Sequence, residues 1–236
     1  MKEIYIVILT LFFSLVVNSQ TIEPYFSMGK ASCKLGDFKT LFNSITEQVP
    51  IEIQTTSYFP DYFTYDGGVN VKFSDEKLEA GFSINYASSG SRANYIDYSG
   101  LYNVDFLANA TGLSGSFGAR VFNTKWIVIT SKLRLSLLLS NLKIKEEYRL
   151  YDVSDNMDIN LKSKSFSSEP VIELSKNFKH WGVFANTGYL FDFTGKIHLA
   201  DDNNSMIQIN DKDAVSDWSG FRVRFGVKFI IKSSVL

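Results

Sequence analysis

From residue 61 onward, apolar and polar residues alternate with a period of two over segments of ten or more, the pattern of strands with one apolar face. Helical spacing hardly appears there. In the last segment Phe221, Val223, Phe225, Val227, Phe229 and Ile231 share one face, with Arg222, Arg224, Gly226 and Lys228 on the other. Trp181, Val183, Ala185, Tyr189 and Phe191 are set against Gly182, Asn186, Gly188 and Asp192 in the same way. So are Phe63, Tyr65, Val69 and Val71 against Thr64, Asp66, Asn70 and Lys72, and Leu78, Ala80, Phe82, Ile84 and Tyr86 against Glu79, Gly81, Ser83 and Asn85.

The connections say what such strands enclose. Outer-membrane barrels pair tight turns on one side with long loops on the other. Tight turns are read at 74–77, 123–125 and 177–180, and long polar connections at 33–60, 88–94, 151–165 and 200–216. Seven connections join eight strands, placed at 22–31, 62–74, 77–87, a fourth ending at Phe122, 126–149, 166–175, 181–199 and 219–232. Within 95–122 the apolar parity changes across Ala110 and Gly112, so a bulge at Gly112 or an extra hairpin is expected. Phe73, Phe122, Trp126, Phe178 and Trp181 gather beside the short turns, and Tyr62, Tyr86, Tyr95, Tyr98 and Trp218 near the long loops. Two aromatic belts are what membrane–water boundaries favour. Parity does not say which face is outside, so a soluble lipocalin-like barrel stays open as an alternative.

The N-terminus supplies an address. Residues 4–17 are apolar behind Lys2 and Glu3, and small or polar residues follow at Asn18 and Ser19. That run is shorter than the roughly 18 residues a membrane-spanning helix needs, and it is read as a signal peptide, 1–19, preceding a single barrel domain, 20–236. Net charge is −1, from 24 basic and 25 acidic residues, which gives no reason to expect nucleic acid. One cysteine and two histidines exclude a disulfide framework and an all-Cys/His zinc site.

The C-terminal strand carries a resemblance. Arg224, Gly226, Phe229 and Ile231 look like the polar, glycine and apolar positions of the C-terminal signal read by the barrel-assembly machinery, although the chain continues to Leu236. The blocks from Phe59 through Pro60, Asp61 and Tyr62 to Tyr65, and from Asp217 through Trp218 to Phe221, are also common in such proteins. The chain resembles the small outer-membrane β-barrel proteins of the Bacteroidetes, of the eight-stranded OmpA/OmpX-like type. The resemblance implies fold and location and carries over no catalytic residue.

Three groups of residues are candidates for function. With the polar face inward, Asp66, Glu79, Glu169, Glu173 and Asp192 share a narrow lumen with Arg120, Lys132, Arg134, Arg222, Arg224 and Lys228, and they must pair. Phe38, Leu41, Phe42, Ile45 and Val49 follow helical spacing behind Asp37, read as an N-cap. This helix in the first external loop is expected to cap the rim or to dock a partner. His198 with Asp201, Asp202 and Ser205 offers hydrolytic ingredients without spacing that specifies geometry. Asp201, Asp202, Asp211 and Asp213 lack the spacing of a calcium loop.

The expectation is an all-β, eight-stranded antiparallel transmembrane barrel with a short amphipathic helix in its first extracellular loop. It is expected in the cell outer membrane with both termini periplasmic, non-enzymatic and without a cofactor. Its role is read as structural or surface-interacting, or as an accessory subunit of a larger outer-membrane complex; a narrow channel or transporter is the alternative. Expected partners are outer-membrane lipid, the barrel-assembly machinery during insertion and other outer-membrane proteins.

Overall fold

A computed structural model describes residues 21–47, 54–73, 77–98, 100–151, 153–202, 205–209 and 211–232. The expected signal peptide and Val49 lie outside the described residues. Eight strands form the ring: β1 (Thr21–Ala31), β2 (Tyr62–Lys72), β3 (Leu78–Ile96), β4 (Gly100–Asn123), β5 (Val128–Leu150), β6 (Val153–Asn177), β7 (Trp181–Asp192) and β8 (Gly220–Phe229). Each pairs antiparallel with the next, and β8 returns to β1 in a register running from Tyr25↔Lys228 to Ala31↔Arg222. Closure removes free strand edges over that height.

The apolar face is outside. Phe82, Leu133, Leu135, Leu137, Phe221 and Phe225 are exposed around the ring, whereas Glu23, Ser27, Asp66, Lys132, Glu169 and Arg224 are buried inside it. A lipocalin-like barrel requires the reverse, so that alternative is overturned. At the short-turn end Phe122, Trp126, Phe178 and Trp181 stay exposed. Phe178 and Trp181 stack 4.2 Å apart, and the Lys176 ammonium lies 5.0 Å from the Trp126 ring centroid.

Strands β3 to β6 run far beyond this band, and here the expected loops are corrected. Residues 88–94 and most of 151–165 are strand, and the β3–β4 connection is a tight turn in which the Asp97 N–H donates to the Gly100 carbonyl at 3.0 Å. β4 is continuous through Gly112, with no extra hairpin; its register shift lies between Arg120 and Phe122. The parity change has another cause. The same side of β4 points inward throughout, but its chemistry switches from Tyr102, Val104, Phe106, Ala108 and Ala110 to Gly112, Ser114 and Gly118. On β5, Leu142 and Ile144 are buried while Lys143 and Lys145 face away. The barrel is therefore apolar outside and polar inside over one part of its height, and polar outside and apolar inside over the other.

The apolar interior of the extended end is closed by two loops. The first forms helix α1 (Gly36–Glu47) and the rim strand Gln54–Tyr58, which pairs with β3. Phe38, Leu41, Phe42 and Ile45 recur at helical spacing, and Phe38 and Phe42 are buried. Phe42 meets Phe106 edge-on at 5.2 Å and Phe59 at 6.4 Å. Leu35 leads into the helix with φ 41°, a left-handed backbone that costs a leucine about 1–3 kcal/mol. Its complete burial offsets that cost by a comparable amount. Asp37 is not an N-cap: it lies in the first turn, and its carboxylate accepts the Val215 N–H at 2.7 Å. The second loop crosses above β7 through small pairings, Gly195–Lys196 with Val215–Ser216 and Gln208–Ile209 with Lys212–Asp213. The strand expected over 181–199 thus stops at Asp192.

Candidate functional site

The polar half of the interior is built in two tiers. In the tier nearer the short turns, Lys72 pairs with Glu23, and Glu23 also lies 3.2 Å from Lys228. Lys228 is 3.7 Å from Glu173, which takes Lys132 at 2.7 Å, and Lys132 reaches Glu79 at 2.6 Å. Glu79 stands opposite Lys72 in the β2–β3 register, so six charges of alternating sign circle the lumen. Strands β4 and β7 supply glycines at this level. A Cβ on Gly118 would stand 2.9 Å from Lys132 Cγ, and one on Gly182 would stand 3.3 Å from Lys228 Cε. Side chains there would obstruct the ring.

The tier above gathers on one carboxylate. Arg224 Nη2 lies 2.6 and 2.9 Å from the two oxygens of Glu169, and Arg134 and Arg222 approach it at 3.7 and 3.9 Å. Arg134 also binds Asp66 at 2.8 Å, Arg224 donates to Asn186 at 3.3 Å and Arg222 to the Tyr62 hydroxyl at 3.3 Å. Between the tiers, Phe184 crosses the space left by its cross-strand partner Gly226 and meets Tyr25 edge-on at 5.8 Å. Buried charges are costly to desolvate and remain tolerable when fully paired. Packed this way, their side chains cross the lumen.

Trp218 seals the upper tier. It is wholly buried; its indole N–H donates to Ser140 at 2.9 Å and its ring meets Tyr62 at 5.6 Å. Tyr62 and Trp218 are therefore not part of an exposed aromatic belt: both rings point inward, because their polar atoms find partners there. Tyr86 and Tyr98 remain outside.

Of the expected lumen charges, Asp66, Glu79, Lys132, Arg134, Glu169, Glu173, Arg222, Arg224 and Lys228 meet in these tiers. Arg120 does not: it is half-exposed at the register shift near the short turns. Asp192 lies apart from the ion pairs, with its carboxylate accepting the Trp218 and Thr194 N–H groups at 3.0 and 3.2 Å. Glu23 and Lys72 are members that sequence reasoning missed. Lys72 alternates with Asn70 and Asp66 on the polar face of its strand, and that alternation is the available signal. Of the two expectations for α1, capping the rim or docking a partner, its packing fits the cap: Phe38 and Phe42 are buried in the barrel interior, and Leu41 and Ile45 pack partly buried against the same cluster. Of the C-terminal motif, Arg224 points into the lumen, while Phe229 and Ile231 are exposed.

The chemistry outside the lumen is modest. Ser205 donates to Asp202 at 2.5 Å, His198 pairs through its backbone with Lys162, and no hydrogen bond joins His198 to Ser205 among the described residues. Asp213 is held below the usual carboxylate range by a hydrogen bond from Lys196, 2.7 Å away. No group of three potential metal ligands occurs among the described residues. On the extension, Tyr102 donates to Glu146 at 2.9 Å; burial, then that hydrogen bond, pushes its hydroxyl pKa up. Arg92 makes a two-pronged contact with Asp105 at 2.5 and 2.8 Å on the exposed side.

No protein-family model and no curated protein matches the chain. Among solved structures it is similar to Neisserial surface protein A, at 12% identity and TM-score 0.41 over 89% of this chain and 97% of that one. It is also similar to Ail, the attachment invasion locus protein of Yersinia pestis, at 9% and 0.37 over 90% and 99%. A third similar structure is the outer membrane protease OmpT of Escherichia coli, at 7% and 0.22 over 89% and 93%. At these values no residue role passes from them to this chain.

Proposed function

We propose that this chain is an exported outer-membrane barrel that conducts no solute and uses its long strand extensions as a rigid surface for recognition. The inversion of the inward and outward faces along β4 and β5 carries this reading. An apolar exterior suits lipid, and a polar exterior around an apolar core suits water. The extended end then faces outside the cell, and the short turns and both described termini face the periplasm. Residues 1–19 serve as the export signal, and Phe229 and Ile231 offer the exposed apolar end of the last strand to the assembly machinery. Recognition falls to the extension, through exposed groups such as Lys145, Asn156 and Met157, rather than to α1. An accessory place in a larger outer-membrane complex uses the same surface.

Planar-bilayer recording tests the closed lumen. The expected result is a silent membrane after incorporation of heat-modifiable protein, and discrete conductance steps would replace this reading with that of a narrow channel. Labelling of Lys145 by a membrane-impermeant amine reagent on intact cells tests orientation. Label appearing only after lysis would reverse it.

A further inference from the structure

We propose that the upper tier of the lumen binds one small inorganic anion of about chloride size, held between Arg222, Arg224 and a ring of hydroxyl groups. The charge count there is uneven: three buried guanidinium groups, Arg134, Arg222 and Arg224, contact only two carboxylates, Asp66 and Glu169. The lower tier, by contrast, matches three lysines with three glutamates.

The uneven charge falls on particular atoms. Arg222 is 2% exposed, yet its nearest carboxylate oxygen is 3.9 Å away and its hydrogen bond goes to a phenol at 3.3 Å. The Nε–H groups of both Arg222 and Arg224 and the Nη1 group of Arg134 are buried without a hydrogen-bond partner, and so are the hydroxyls of Ser27, Thr64, Ser165 and Ser167 and one oxygen of Asp66. A buried donor left unmatched costs about 1–3 kcal/mol, and more when charged. Three of these groups are charged donors, more than the one free carboxylate oxygen can match, and they point to a further acceptor.

The registers put these groups on adjoining strands. Thr64 pairs with Gly29 and Gly29 with Arg224; Ser27 pairs with Asp66; Arg222 pairs with Gly188 on β7. Ser167 lies two residues from Glu169 on the inward face of β6. A barrel of eight strands is only wide enough for its own side chains, and a Cβ on Gly29 or Gly188 would already meet backbone oxygens at 1.9 and 2.6 Å. The ligand must therefore be small, and the excess of guanidinium groups makes it an anion.

Other counter-charges are engaged elsewhere. Asp192, the remaining buried acid, is turned to loop amides. The Cys33 thiol, near Arg222 at the rim, is pushed up to about 11 by burial and stays neutral. The ligand's position beneath Trp218 implies capture during assembly and slow exchange afterwards.

Crystals of protein refolded in bromide test the site directly. An anomalous peak against Arg222 and Arg224 is expected, and no such peak inside the barrel overturns the proposal. Thermal unfolding gives a second measurement. Chloride should raise the unfolding temperature saturably, as a ligand of the folded state does, while gluconate at equal ionic strength should not. Equal effects of the two salts would overturn the site. Arg222→Gln should abolish the chloride-dependent shift. Thr64→Val keeps every charge and should reduce the shift even if the arginine variant fails to assemble; an unchanged chloride dependence in Thr64→Val counts against the site.

Discussion

Replacing Glu169 by glutamine removes the one carboxylate that three arginines share while keeping its size. Arg224, at 2.6 Å, loses its charge partner, and Arg134 and Arg222, at 3.7 and 3.9 Å, are left with Asp66 as the tier's only acid. In a water-filled lumen one pair at 4 Å would be worth about 1 kcal/mol. In a dry one, leaving a buried charge without its partner costs about 3–5 kcal/mol. Glu169 and Arg224 are completely buried, so the larger value is expected. Urea unfolding of the refolded protein in vesicles, followed by tryptophan fluorescence, should show the unfolding free energy fall by that amount, as a lower midpoint at an unchanged m-value. Adding Arg224→Met to Glu169→Gln removes the charge left without its partner, returns the tier to its original excess of one, and should restore at least half of the loss. A loss below about 1 kcal/mol for Glu169→Gln would refute the dry, paired lumen.

Other perturbations test the remaining parts. Phe42→Ala should cost about 3–5 kcal/mol and expose the segment around α1 to protease while the band below stays resistant; limited proteolysis with mass spectrometry checks this. Leu135→Arg, in the middle of the outward apolar band, should cost about 2–4 kcal/mol in lipid, measured by the same urea titration. Cys33 alkylation should keep accelerating up to about pH 11, because burial raises its thiol. The neutral thiol favours the fold, so stability should decline as pH rises from about 9 towards 11, which circular dichroism can follow.

The eight strands were legible because a single face rule governs each one inside the apolar band. Their lengths were not. Above Ala110 on β4 and above Ser140 on β5 the inward residues become apolar and the outward ones polar, so the alternation continues with its meaning reversed. Read as a change of parity, it suggests a bulge at Gly112 or a loop, when the backbone does not change. Most of the charged lumen was legible from the same rule. Glu23 was missed because Pro24 and Tyr25 blur the alternation along β1, and Asp192 was included because parity reports direction and not partner. Trp218 and Tyr62 were misplaced since an aromatic residue near a strand end looks the same whether it faces lipid or plugs the lumen.

The closing strand has a consequence for the order of assembly. Of the six cations that line the two tiers, β8 brings Arg222, Arg224 and Lys228, whose partners Glu23, Glu169 and Glu173 all sit on strands made earlier. Until β8 arrives, an open sheet of the first seven strands holds Glu23, Asp66, Glu79, Glu169 and Glu173 against only Lys72, Lys132 and Arg134. That half-built sheet is an acidic trough, and the last strand is the basic rod that fits it. Trp218, two residues ahead of β8, travels with the rod, so neutralising the trough and stoppering the tube are one event, and a seam that closes in the wrong register leaves both undone.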